Sequence, residues 1–491
     1  MIKRPLVFIG TILIAFAPVF ASGRDDVIAT INDSDLVSGS EEGQAWRILF
    51  DACLQMTEPP QPLGAGFNMN TIWAGMDNWE EVSRWASENE HMEAAILQSA
   101  SRIVIGLPYG SELVPANYRE EGVFAEIGVD DRLHVFDFSY TQTVRLACLW
   151  ATAESYRLFE LDKPDRAMKL AMAELLVLRK FCDRIFLDEK LIFIQILGDG
   201  LSNFRDMMYS YRDLISPEKF REIAMQWIPY LRVDSSRLLM PTGDQVVAKA
   251  LLDELFTPDS GEPDQAKFRE ILTDIQVDQE PLTRFGAARF WDSMASIHSG
   301  HDASVDRLAL VYDDWWRRWR MRAFHPQLKV GTELEKTNPV RYASVLLVIR
   351  DIQELFYQRD LLWTQINGTA VSAALCGYRN HYGRYPKSIK MMHAQFLDRM
   401  NNLDRFEELK KRRDADWSLY NAPVGPFHYR RIESKTALDT ANSDRIWLEI
   451  DSCILYSVAE DSNDDRGRNE TNDLILWPPL KTLERNAGFL D

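Results

Sequence analysis

Oxygen ligands crowd into the stretch Asp461-Ser462-Asn463-Asp464-Asp465, with Asp473 a few residues beyond. Calcium takes about six to eight such oxygens from a flexible loop. Asp461, Asn463 and Asp465 are spaced like the first three ligands of an EF-hand. The sixth position, however, is Arg466 where glycine is needed, and the twelfth is Asn472 where glutamate is needed, so an EF-hand is excluded. A looser calcium site built from Asp461, Asn463, Asp464, Asp465 and Asp473 is the metal-site expectation. The favoured reading of the stretch is nonetheless a solvated acidic turn, because carboxylates this close repel unless a cation or water separates them.

His298-Ser299-Gly300-His301-Asp302 is the one local cluster of transition-metal ligand types. Gly300 marks a loop there, and no HExxH or comparable spacing accompanies it. Adjacent acids such as Glu80-Glu81 and Asp313-Asp314 diverge by about 100° on a helix and read as surface. There is no GxSxG elbow, no GxxxxGK[ST] loop and no GxGxxG after a strand. No residue is singled out as catalytic. A pair of acids brought together from distant parts of the chain stays open as a hydrolytic arrangement.

The elements that must position these residues are mostly helical. Hydrophobic residues make up 46% of 491, enough to bury a sizeable core. The formal charge is −18, and −20 without Lys3 and Arg4, which argues against nucleic acid as a partner. The five cysteines (Cys53, Cys148, Cys182, Cys376 and Cys453) lie far apart in an odd count, without a CxxC pair. Neither a disulfide framework nor a zinc site is signalled. Asp77 with Glu80 predicts a capping box, and Ser216-Pro217 a capped helix start. Met168, Ala171, Met172, Leu175, Leu178 and Cys182 form a buried stripe at helical spacing.

Tyr312, Trp315, Trp316 and Trp319 share one helix face, with Arg317, Arg318, Arg320 and Arg322 around the rest. An aromatic core stripe is the favoured reading, because any packed helix shows one apolar face. Insertion at a membrane surface is the alternative. After Asn338-Pro339 a long helix is predicted to run to about Tyr378, with Asn367-Gly368 as a possible kink. Turns, short strands and acids fill the remainder.

At the N-terminus, Lys3 and Arg4 precede the uncharged apolar run of residues 5–21, and Val19-Phe20-Ala21 then offers a cleavage site. That order is the signature of a secretory signal. An uncleaved membrane anchor is its alternative, since this run is at the lower limit for spanning a bilayer.

Residues 373–397, with Ala374, Tyr378, Arg379 and then His381-Tyr382-Gly383-Arg384-Tyr385-Pro386, carry a resemblance. The stretch resembles the helix end and first turn of the major pseudopilins of bacterial type II secretion. Gly383 supplies the backbone freedom to end a helix, and Pro386 can seed the next, from about Lys387 to Leu397. Leu455-Tyr456-Ser457-Val458, the acidic loop, and Asp473-Leu474-Ile475-Leu476-Trp477 resemble the closing strands of that module, which in pseudopilins hold calcium. The N-terminus lacks the pseudopilin cleavage motif and the resemblance begins only at residue 373, so a filament subunit is not implied; Asn421-Ala422-Pro423, where Asp-Pro is usual, departs from the pattern that goes with calcium. The whole chain also resembles a set of exported proteins typical of planctomycetal bacteria. That likeness implies architecture and compartment, and no reaction.

The expected fold is mainly α. An irregular array of helical hairpins is followed by a long helix and a small α+β, pseudopilin-like C-terminal module. The expected organisation is a signal peptide over residues 1–21, a flexible tether over 22–43, a helical domain over 44–335, and the long helix plus module over 336–491. The functional expectation is an exported envelope protein, periplasmic or extracellular, that acts without catalysis as a helical scaffold contacting an unidentified protein partner. A membrane enters only through an uncleaved N-terminal segment. A hydrolase with carboxylates converging from separate helices is the first alternative, and a peripheral membrane-surface protein the second.

Overall fold

A first helical turn leaves N–H groups without an intrahelical partner, and some starts in this chain meet one of them with a side chain. The computed structural model describes residues 23–34, 41–60, 69–233, 238–279, 283–321, 326–398, 404, 427–440, 445–458, 464, 466–468 and 473–490. Ser216 caps the helix Pro217–Glu222 as the sequence predicts, its hydroxyl accepting from the Lys219 N–H at 3.1 Å. The capping box at Asp77 is not formed. The helix Trp79–Glu88 starts from Asn78 in the left-handed region at φ 61°, with no side-chain cap. Asn tolerates that conformation, and Glu80 and Glu81 still complement the helix dipole.

Three consecutive helices, Tyr140–Glu160, Pro164–Phe181 and Leu187–Ser210, stack as hairpins joined by short turns. The helix Gln353–Tyr382 packs along Leu187–Ser210. Every residue from Ile366 to Tyr378 is buried, so this helix is covered on all sides. Leu187–Ser210, Pro217–Glu222 and the strands β6 and β7 (Cys453–Ser457 and Leu474–Trp477) share that task. The helix runs unbroken through Asn367-Gly368, where a kink is expected from the sequence. Gly368 instead admits Leu476 of β7, whose Cδ1 lies 2.4 Å from where a Cβ would stand.

The predicted long helix is divided. Ala343–Val348 ends before the non-helical stretch 349–352, and Gln353–Tyr382 follows. Gly383 ends the latter with φ 71°, its N–H donating to the Arg379 carbonyl at 2.7 Å. The helix expected from Lys387 to Leu397 is only a 3₁₀ turn, Ile389–Met392. His393 at ψ 145° ends it, Ala394 follows at φ 68°, and Met392, Phe396 and Leu397 are buried beneath the long helix.

The C-terminal part is small and α+β. Two short strands earlier in the chain, β1 (Glu126–Ile127) and β2 (Phe136–Asp137), pair with each other; β3 (His428–Arg431), β6 and β7 form an antiparallel sheet with β6 central, and β4 (Thr436–Asp439) pairs with β5 (Arg445–Leu448) as a hairpin. All five β6 residues are buried because its two faces meet two cores. Cys453 and Leu455 face the main core, while Ile454 and Tyr456 join Ile432, Leu438, Leu448 and Leu480 in a second, smaller one.

Two expected divisions of the chain are corrected by this packing. The main core contains Trp46 and Leu175 together with Leu362, Leu455 and Trp477, so 335/336 is not a packing boundary. Nor is 22–43 a tether throughout. Arg24–Asn32 is a helix that buries Val27, Ile28 and Ile31, and Arg24 donates to the Ile127 carbonyl and pairs with Glu126. The residues read as a signal lie outside the described residues.

The aromatic stripe is core. Tyr312, Trp315 and Trp319 are each 1% exposed within His301–Arg320, and Trp319 Nε1 donates to the Leu238 carbonyl. Trp316 is half-buried, and Arg318 bonds Asp314 and two backbone carbonyls. A face turned inward cannot insert into a membrane, which removes the peripheral membrane alternative built on it. Among the described residues no helix is long and apolar enough to cross a membrane.

Candidate functional site

The start of Leu187–Ser210 lacks a cap of its own, because Phe186 at the capping position has no side-chain acceptor to offer. Asp244, in the first turn of the helix Gly243–Leu255, supplies the missing acceptor: its Oδ2 takes the Leu187 N–H at 2.8 Å. Gly243 makes the approach possible. A Cβ there would stand 2.8 Å from the Phe186 ring. Two helix starts thus meet at one buried carboxylate, and a cavity of about 300 Å³ opens beside them.

The chemistry of this cleft comes from six side chains: His134, Phe136, Asp188, Asp244, Asp278 and Arg350. Asp188, Asp244 and Asp278 belong to three different helices, Leu187–Ser210, Gly243–Leu255 and Gln265–Gln279. Arg350 comes from the break at 349–352; it pairs with Asp188, and its Nε lies 3.9 Å from Asp244 Oδ1. Its guanidinium sits 4.7 Å from the centre of the Phe136 ring. His134 Nε2 lies 3.2 Å from Asp278 Oδ2, and Arg132 meets the same oxygen at 3.4 Å.

Burial pushes the Asp244 carboxyl up to about 7, against the pull of Arg350 and the Leu187 N–H. Burial also lowers the His134 imidazole below its usual value, with Asp278 opposing. Near neutrality the cleft therefore holds a carboxyl that keeps its proton in about half of the molecules and an imidazole able to take one. Asp244 Oδ1 and the Tyr312 hydroxyl are buried with no hydrogen-bond partner among the described residues.

A second polar cluster lies on the other side of Phe186. Glu189, fully buried, accepts from Tyr109 and Tyr140 hydroxyls at 2.6 Å each and from Arg184 Nε at 3.0 Å. Arg184 stacks on Tyr109 at 3.9 Å and donates to the Leu107 carbonyl.

The residues singled out in the sequence lie elsewhere. Of the calcium set, Asp461, Asn463 and Asp465 lie outside the described residues. Asp464 accepts from the Tyr456 hydroxyl and the Arg466 N–H at 2.8 Å, and Asp473 accepts from the Gly467 N–H at 2.8 Å. Both side chains fasten the turn between β6 and β7. His298 and His301 are not brought together on one ligand. His298 contacts the Ser299 carbonyl and Ser344, while His301 contacts Asp253 and Asp302. Among the described residues there is no group of three or more His, Cys, Asp or Glu side chains that could hold a metal.

Glu80, Glu81 and Asp313 are exposed as expected, whereas Asp314 pairs with Arg318. All five cysteines are free and buried. Sequence reasoning missed Asp244, His134, Asp278 and Arg350. The one available signal was the turn Met240-Pro241-Thr242-Gly243-Asp244 before a helical pattern, which marks a helix start and says nothing of a cleft. No protein-family model matches the chain, and no curated protein or solved structure is significantly similar to it.

Proposed function

We propose that this is an exported helical protein whose cleft at the start of Leu187–Ser210 hydrolyses a small substrate by acid–base catalysis. The observation that carries the reading is the convergence of Asp188, Asp244 and Asp278 from three helices, with Asp244 held by burial at about 7. In this scheme Nε2–H of His134 donates to Asp278, which leaves Nδ1 as the basic nitrogen. Water gives its proton to Nδ1 and bonds to the scissile centre through oxygen. The leaving group departs with the proton of Asp244, and Arg350 faces the charge that develops. Export rests on the N-terminal residues alone.

The rate then requires neutral His134 and protonated Asp244, so it peaks close to neutrality and falls on both sides. Asp244→Asn keeps an acceptor for the Leu187 N–H while removing the acid. On a panel of chromogenic esters, amides and glycosides, the full chain is expected to turn over one class, and D244N to lose about 10²-fold. A folded chain inert towards every class, or a D244N protein as active as the wild type, overturns the proposal.

One observation favours the scaffold reading instead. The β4–β5 hairpin packs Leu438 and Leu448 inward and leaves Trp447 52% and the following Ile450 61% exposed, an apolar pair turned outward. That reading expects a cross-linked adduct in the envelope that Trp447→Ser abolishes, with no turnover by the wild type. An adduct unchanged in W447S counts against the hairpin as the contact.

A further inference from the structure

Behind the buried Arg184–Glu189 pair lies a separate cavity of about 230 Å³, lined by Ile103, Ile105, Lys180, Asp183, Arg184 and Ile185. Its polar wall is cationic on balance. Lys180 and Arg184 line it with one carboxylate, Asp183, while Arg179 and Glu189 pair with Asp183 and Arg184 from outside the lining. Both carboxylates are engaged. Asp183 takes Arg179 at 2.9 Å and the Leu239 N–H, and Glu189 takes three donors.

The cations are not fully matched. Arg184 Nη2 is buried with no hydrogen-bond partner among the described residues. Lys180 Nζ donates to the Ser99 and Ala100 carbonyls at 2.9 and 2.6 Å, closing the end of the helix His91–Ser101, and an ammonium has a third proton to give. Burial lowers Lys180 to about 8, as expected of an ammonium short of counter-charge. The rest of the lining is largely apolar. Ile103 at its edge is 81% exposed, the most exposed large hydrophobic side chain among the described residues.

We propose that this cavity binds a small organic carboxylate, with its charge towards Arg184 and Lys180 and its short apolar tail against Ile103, Ile105 and Ile185. Charge and shape argue together. The cationic wall selects an anion, and the exposed isoleucine beside it gains by covering an alkyl group. The site is independent of the cleft at Asp244 and does not rest on hydrolysis there.

The test is calorimetric titration of the full chain with butyrate, butyramide and inorganic phosphate. Butyrate is expected to bind saturably at one site and raise the melting temperature, and butyramide and phosphate to bind at least tenfold more weakly. Ile103→Glu places a negative charge at the edge of the cavity, on an exposed side chain that the fold does not need. It is expected to weaken butyrate at least tenfold with the melt of the free protein unchanged. Lys180→Gln is expected to weaken butyrate in the same direction. Absence of saturable butyrate binding overturns the proposal, as does butyramide binding equally well, phosphate binding while butyrate does not, or I103E binding butyrate like the wild type.

Discussion

Glu189→Ala is expected to cost about 3–5 kcal/mol of folding stability, seen as a lower urea midpoint with little change in slope. Glu189 is fully buried and carries the balancing charge for Arg184, whose side chain is 4% exposed. Removing the carboxylate leaves a guanidinium in the interior with only the Leu107 carbonyl and the faces of Tyr109 and Tyr140 for company. The hydroxyls of Tyr109 and Tyr140 lose their common acceptor in the same step. Glu189→Gln keeps an acceptor for them and is expected to cost less than the alanine change.

The double variant Glu189→Leu with Arg184→Met separates the two ways such a pair can matter. Replacing both charges removes the orphaned cation, so the double variant is expected to be more stable than E189A, with a coupling energy of roughly 1–3 kcal/mol. If E189A costs under about 1 kcal/mol, Arg184 finds other solvation and is not held by this pair.

The helical part of the fold was legible because its signals are local. The stripe from Met168 to Cys182 and the aromatic stripe through Trp319 are both buried at the spacing that predicted them. Ser216 and Gly383 act as cap and stop because one residue's chemistry suffices for each. Other errors share a cause in long-range packing. Val27, Ile28 and Ile31 are too few apolar residues to reveal a helix among acids, and only the body of the protein makes them a core face. The supposed boundary at 335/336 reflected a real change in composition, yet β6 and β7 complete the burial of Gln353–Tyr382.

The cleft was illegible for the same reason. His134, Asp188, Asp244, Asp278 and Arg350 span more than 200 residues and form no motif. What gives Asp244 its unusual proton affinity is burial, and burial is not written in the spacing of acids. Acids that cluster in sequence, such as Asp464 and Asp473, proved the easiest to notice, and in the structure they fasten a turn.

Glu174→Gln is expected to remove a pH dependence of stability worth up to about 4–5 kcal/mol. Glu174 lies in Pro164–Phe181, 6% exposed, with the Cys148 thiol donating to it and Oε1 buried with no partner among the described residues. Burial pushes its carboxyl from the usual 4.5 up to about 8, with Cys148 opposing. Below pH 4.5 the group is protonated in both folded and unfolded chains and costs nothing. Between 4.5 and 8 the unfolded chain releases the proton while the folded chain keeps it, so stability falls as pH rises, by up to about 1.4 kcal/mol per unit. Above 8 both states are ionised, and the loss is complete.

Glutamine cannot ionise. Urea titrations at pH 5 and 8.5 are therefore expected to show a steep fall for the wild type and a shallower one for E174Q, which gains relative to the wild type as pH rises. Asp244, held at about 7, contributes a slope of the same sign over a lower range. E174Q should keep that residue of pH dependence below about pH 7, and the double variant with Asp244→Asn should lose it. Parallel pH profiles for the wild type and E174Q would show that Glu174 is ionised in the folded chain at neutral pH, with water or a cation reaching it between the two helices.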